Sequence, residues 1–120
     1  MEKTLTQADL NGFHGSEQYY RHALTGLVYT EGVKYMAETG GAYWLIDEIM
    51  LSNRFTKKLQ TEEFQVWKLD RDNEGHSAWL RVEDGNDVRL YEKRIEFTDF
   101  PLPGVILFFE NSTLYLPSER

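Results

Sequence analysis

The spacing of hydrophobic positions divides the chain at Glu63, with helical spacing dominant before it and strand alternation after it. Thr6-Gln7-Ala8-Asp9 sets a hydroxyl cap ahead of an acid at the third helical position, and Leu5 and Leu10 stand where a hydrophobic staple packs. These signals predict a short helix, interrupted by Gly12 and Gly15. Ser16-Glu17-Gln18 then opens a second helical turn through Tyr19 and Tyr20 to Arg21 and His22. Leu27 to Tyr29 and Val33 to Met36 read as short strands, joined through Thr30-Glu31-Gly32 as a hairpin. Gly40-Gly41 breaks the chain. Ala42, Leu45, Ile46 and Ile49 follow on one helical face, with Asp47 and Glu48 directed away, which predicts one core helix over Ala42 to Leu51.

From Glu63 onward, β-branched and aromatic residues mark strands at Phe64 to Leu69, Ala78 to Glu83, Val88 to Phe97, Val105 to Glu110 and Thr113 to Leu116. Turn chemistry separates them: Asp70 to Gly75, Asp84-Gly85-Asn86-Asp87, and Phe100 to Gly104. Consecutive strands without intervening helices predict an antiparallel meander. The expected fold is α+β: short N-terminal helices, a β-hairpin, and one core helix packed on the meander, all in a single domain over residues 1–120. If Phe64, Val66, Leu80 and Val82 face that helix, Trp67, Trp79 and Tyr91 form an aromatic stripe on the other side.

Composition narrows the chemistry. Aromatic residues make up 14% of the 120, ample for a core without a metal or disulfide, and with no cysteine there is no disulfide or thiol nucleophile. The start of the chain lacks the basic-then-apolar pattern of a signal peptide and no apolar run reaches membrane-spanning length, so a cytoplasmic protein without membrane attachment is expected. A net charge of −7 with scattered Lys and Arg argues against direct nucleic-acid binding. It fits either simple solubility or an acidic face that meets a basic partner.

Motifs for catalysis are sparse. His14, His22 and His76 lie in separate segments without zinc-ligand spacing, Gly40-Gly41 lacks a nucleotide fingerprint, and no metal or cofactor is expected. Two readings survive. In the leading one, the chain is a non-enzymatic interaction protein. Its acidic contacts are Asp47, Glu48, Asp70, Asp72, Glu83, Asp84 and Asp87, its aromatic anchors Tyr19, Tyr20 and Trp79. In the alternative, it is a small hydrolase or ligand-binding domain built from His14, Tyr20, Arg21, His22 and Asp47. Arg21 would hold an anionic group there while a histidine moves protons. A third possibility is self-association into a homo-oligomer through the sheet edge or the aromatic face.

Several strings carry a resemblance: Leu10 to Gly15 with Tyr20-Arg21-His22, Tyr29 to Tyr35, Gly41 to Ile49, Phe64 to Leu69, Ile95 to Leu102 and Tyr115 to Glu119. In this order they resemble a family of small uncharacterised bacterial proteins, a domain of unknown function found in bacterial genomes, plasmids and phages. The resemblance carries no catalytic residues. It implies a mobile-element context, in which small acidic proteins often regulate or inhibit a host protein.

Overall fold

A computed structural model describes residues 4–14, 18–72 and 75–120. The fold is α+β: helices packed on one face of a seven-stranded, mostly antiparallel sheet. Helix α1 (Gln7–Asn11) begins as its sequence predicts: Thr6 Oγ1 accepts from Asp9 N at 3.1 Å, Asp9 Oδ2 accepts from Thr6 N at 3.1 Å, and Leu5 and Leu10 are both buried. Strands β1 (Tyr19–Arg21) and β2 (Val28–Thr30) follow, then helices α2 (Glu31–Gly40), α3 (Tyr43–Phe55) and α4 (Lys57–Gln60). The sheet is completed by β3 (Phe64–Arg71), β4 (Ala78–Asp84), β5 (Arg89–Ile95), β6 (Gly104–Glu110) and β7 (Thr113–Tyr115), before a closing 3-10 turn at Pro117–Glu119.

Two assignments before Glu63 are corrected. Tyr19 to Arg21 is a strand, not helix; Ser16 and Glu17, expected to open that helix, lie outside the described residues. The hairpin joins β1 to β2, with Tyr20 opposite Tyr29, one segment earlier than expected. Val33 to Met36 belongs to α2, and Thr30 is not a turn residue but its N-cap, accepting from Val33 N at 3.3 Å. A second cap comes from far away in sequence. Glu119 accepts from Thr30 Oγ1 at 2.7 Å and from Gly32 N at 3.4 Å, placing a carboxylate at the positive end of α2. Gly41, at φ 64°, adopts the left-handed conformation that ends the helix.

The later strands form where expected, but their order is not a simple meander. Consecutive strands pair within β1-β2, β3-β4-β5 and β6-β7, but the sheet order is β1-β2-β7-β6-β3-β4-β5. Strand β6 returns beside β3, and β2 pairs with β7 in parallel. The chain between β5 and β6 crosses the sheet end with Thr98, Phe100 and Leu102 buried beneath it. Arg71 fastens that crossing: its Nη1 donates to Phe100 O at 2.6 Å and its backbone N to Pro103 O at 2.8 Å.

The core lies between helices and sheet. Leu45, Ile46 and Ile49 of α3 meet Trp67 and Leu69 of β3, Leu80 and Val82 of β4, and Leu107 of β6. Burial of each such side chain contributes about 1.5–3 kcal/mol. Trp67 is therefore a core residue, not part of an outer stripe. It stands opposite Val82, and the indole N–H donates to Gln65 Oε1 at 2.8 Å. Gln65, fully buried, in turn donates to Asn53 Oδ1 at 2.7 Å and Leu59 O at 2.9 Å, joining β3 to α3 and α4. Among the described residues, no helix is long and apolar enough to cross a membrane.

Candidate functional site

Strand alternation sends the remaining side chains of β3 to β6 to the sheet face opposite the helices. Cross-strand register arranges them in rows. Reading from β6 to β5, one row holds Gly104, Asp70, Trp79 and Arg94, and the next holds Ile106, Lys68, Arg81 and Glu92. Lys68 and Arg81 stand directly opposite, a like-charge contact that neighbouring carboxylates offset. Lys68 Nζ reaches Glu83 at 2.9 Å, while Arg81 reaches Asp70 at 3.6 Å and Glu92 at 3.8 Å. Arg94 binds Asp72 at 2.7 Å and lies over the Trp79 ring at 5.1 Å. The hydrogen bond from Ser77, and then that from Arg94, hold the Asp72 carboxyl below the usual carboxylate range.

Two apolar side chains stand open in these rows, Trp79 at 36% exposure and Ile106 at 45%. Nearer β7, Phe64 and Phe108 pack at 5.2 Å between ring centroids under the Arg120 guanidinium, and Phe108 meets Tyr115 edge-on. The Tyr115 hydroxyl donates to Glu110; burial first, and this bond second, push the phenol up to about 12. Beside Gly104 and Ile106 a groove of about 420 Å³ opens, walled by Leu10, Val105, Leu116 and Pro117. Strand β7 stops at Tyr115 because Pro117 cannot donate to β6, and the groove occupies the space that a longer β7 would fill.

The predicted acidic contacts do not share one surface. Asp70 and Glu83 are on the open face and Asp72 at its margin, each tied to a cation there. Asp47 and Glu48 lie on α3, on the helical side, and Glu48 binds Lys93 at 2.9 Å, which raises the lysine pKa. Asp84 accepts from Asn86 N and Val88 N and so shapes the β4–β5 turn, where Asp87 takes φ 63°. Tyr19 is exposed on the open side, whereas Tyr20 turns to the helical side to stack on Tyr29 beneath Lys34.

Of the alternative set, the structure joins three. His22 Nε2 lies 2.8 Å from Asp47 Oδ1, and Tyr20 and Tyr29 stand on the adjoining hairpin. Burial, then the neighbouring Tyr43 and Asp47, raise the Tyr29 phenol pKa against the opposing pull of Lys34. Arg21 projects to the opposite face from Tyr20, and the partners of His22 are Asp47 and Thr25, not His14. Both imidazole nitrogens are occupied, because Nδ1 meets Thr25 Oγ1 at 3.0 Å. A ring so bound holds the hairpin to α3.

Residue-by-residue reading missed Ile106, Lys68, Arg81, Glu92 and Arg94. Their signal is the polar phase of each strand, which becomes a surface only once the strand order is known. No curated protein and no solved structure matches the chain. A family model described as a family of unknown function matches residues 4–120, and the chain belongs to that family, DUF6876.

Proposed function

We propose that this chain is a non-enzymatic interaction protein that acts by holding another protein on its open sheet face. One observation carries the reading: Trp79 and Ile106 stand exposed among side chains whose charges already neutralise one another. Paired charges lose less on entering a contact than single ones, and a tryptophan among them is the usual anchor of a protein interface. The partner class carried over from the family resemblance is a host protein met in the cytoplasm, with regulation following from its occupation. Because the acids of this face are paired with its own cations, the contact rests on the tryptophan rather than on acids meeting a basic partner.

The experiment is capture from host lysate by the tagged chain at low and high salt, beside a Trp79→Ala variant. A partner retained at high salt and lost with Trp79→Ala supports the reading. A partner lost in high salt and indifferent to Trp79 overturns it in favour of contact through acids elsewhere. The His22–Asp47 contact, with Thr25 on the other ring nitrogen, favours the small hydrolase or ligand-binding domain as a second reading.

A further inference from the structure

We infer that the occupant of the open face is a second copy of this chain, stacked face to face on a two-fold axis that runs across the strands. This inference rests on the reading of that face as a protein-binding surface; the second copy covers the face where no host protein holds it. An isologous contact requires one patch to complement itself when each residue i meets j and j meets i. The two rows at the centre of the face meet that requirement. On β3, Asp70 in one row is followed by Lys68 in the next; on β5, Arg94 is followed by Glu92; on β4, Trp79 is followed by Arg81; on β6, Gly104 is followed by Ile106.

An axis lying between the two rows, parallel to the sheet and perpendicular to its strands, exchanges the rows strand by strand. Asp70 then faces Lys68 of the second copy, and Arg94 faces Glu92. The Arg81 guanidinium lies over the Trp79 ring, the stacked arrangement in which arginine and tryptophan attract each other. Ile106 comes to rest beside Gly104, where the groove of about 420 Å³ begins. Each relation occurs twice, and none sets like charge against like.

Charge also selects this face. Two chains of net charge −7 repel each other over most of their surfaces. Here Lys68, Arg81 and Arg94 offset Asp70, Glu92, Glu83 and Asp72, so the face is close to neutral. Arg81 has donors to spare, since both of its carboxylate contacts are longer than a hydrogen bond and its Nε is buried without one. Size sets the strength. Four strands about 4.8 Å apart and seven residues long, at about 3.3 Å each, offer a footprint on the order of 400 Å², below the roughly 800 Å² per partner of a standard interface. Sheet twist concentrates the contact near the axis. The dimer is therefore weak and forms at high concentration.

The test is sedimentation equilibrium of the whole chain from about 10 μM to about 1 mM, a range that brackets weak association. Wild-type protein should dimerise, and Trp79→Ala should raise the dissociation constant about tenfold or more. Lys68→Asp sets two carboxylates against each other across the axis, and Asp70→Lys sets two ammonium groups against each other there. Each variant alone should therefore also lose at least about tenfold. An equimolar mixture of the two should associate again, because every pair across the axis is then opposite in charge. Rescue on mixing cannot come from misfolded variants. A wild-type chain that stays monomeric throughout overturns the inference, as does a mixture that associates no better than its components. If the chain is monomeric yet Trp79→Ala still abolishes heterologous capture, self-pairing falls while the binding-face reading stands. If that capture is also indifferent to Trp79, both fall.

Discussion

His22 Nε2 lies 2.8 Å from Asp47 Oδ1 across 25 residues of chain, joining the end of β1 to the outer side of α3. The histidine is 7% exposed, whereas the aspartate side chain is 59% exposed, so one end of the bond is buried and the other open to solvent. With Nδ1 held by Thr25, the ring fixes the hairpin turn as well as its distance from the helix. His22→Ala should cost about 1–2 kcal/mol, the range for losing such hydrogen bonds where the former partners remain wet. Urea unfolding measures the loss. Faster amide exchange confined to β1 and β2 would distinguish a loosened hairpin from general destabilisation.

The buried amide of Gln65 should be less replaceable. It serves Trp67, Asn53 and Leu59 at once, at 2.8, 2.7 and 2.9 Å. Gln65→Leu keeps the size but strands an indole N–H, a carbonyl and an amide oxygen in the core. At about 1–3 kcal/mol for each buried group left unpaired, the expected loss is at least about 3 kcal/mol. The urea midpoint should fall with little change in slope, while the fluorescence of buried Trp67 shifts.

Alkaline pH should weaken the fold through Tyr115. Its phenol is raised from an ordinary value of 10.0 to about 12 in the folded chain, so below pH 10 both states keep the proton and its contribution is fully present. Between those values the unfolded chain loses the proton and the folded chain keeps it. Stability then falls by up to about 1.4 kcal/mol per pH unit and is lost as pH passes the folded value. Tyr115→Phe should flatten this decline in melting experiments from pH 9 to 12, leaving the slope due to Tyr29 and Lys93, whose pKa values are also raised. An unchanged slope would mean that neither burial nor the Glu110 hydrogen bond holds the proton.

Gly104 should not tolerate a side chain. A Cβ there would stand 2.7 Å from the Leu69 carbonyl oxygen, an atom of the β3 backbone that cannot swing aside. Gly104→Ala should therefore cost about 1–3 kcal/mol, the range for overpacking, seen as a lower melting temperature. Gly32 makes a useful contrast. Its added Cβ would meet Glu119 Oε1 at 2.7 Å and Leu116 Cδ1 at 2.8 Å, both flexible side-chain ends. Gly32→Ala should displace the closing turn more than it unfolds the chain.

Much of the fold was legible along the chain, since its signals are local. The Thr6–Asp9 capping box, the Gly41 stop and the five later strands rest on neighbouring residues or simple alternation. The helical identity of Val33 to Met36 was also written there: Val33, Met36, Ala37 and Gly40 are buried at the spacing of one helical face. Thr30-Glu31-Gly32 imitates a hairpin turn and masks that period. The candidate pair was legible as residue types, since His22 and Asp47 were both singled out, but Arg21 was taken with them although β1 points it the other way.

What the sequence by itself determined is the α+β class, the positions of the caps and breaks, and which segments alternate, because these follow from backbone preferences within a few residues. Tertiary structure decided that β6 returns to β3, that Trp67 faces inward and Trp79 outward, and that the acids of the open face meet its own cations. Each strand offers two faces of nearly equal merit. Phe64 and Val66 are as apolar as Trp67 and Leu69, and buried Gln65 disguises the inner phase. Only the helices and the returning strand, contacts made far along the chain, select which face is buried, and with it which side chains remain to meet a partner.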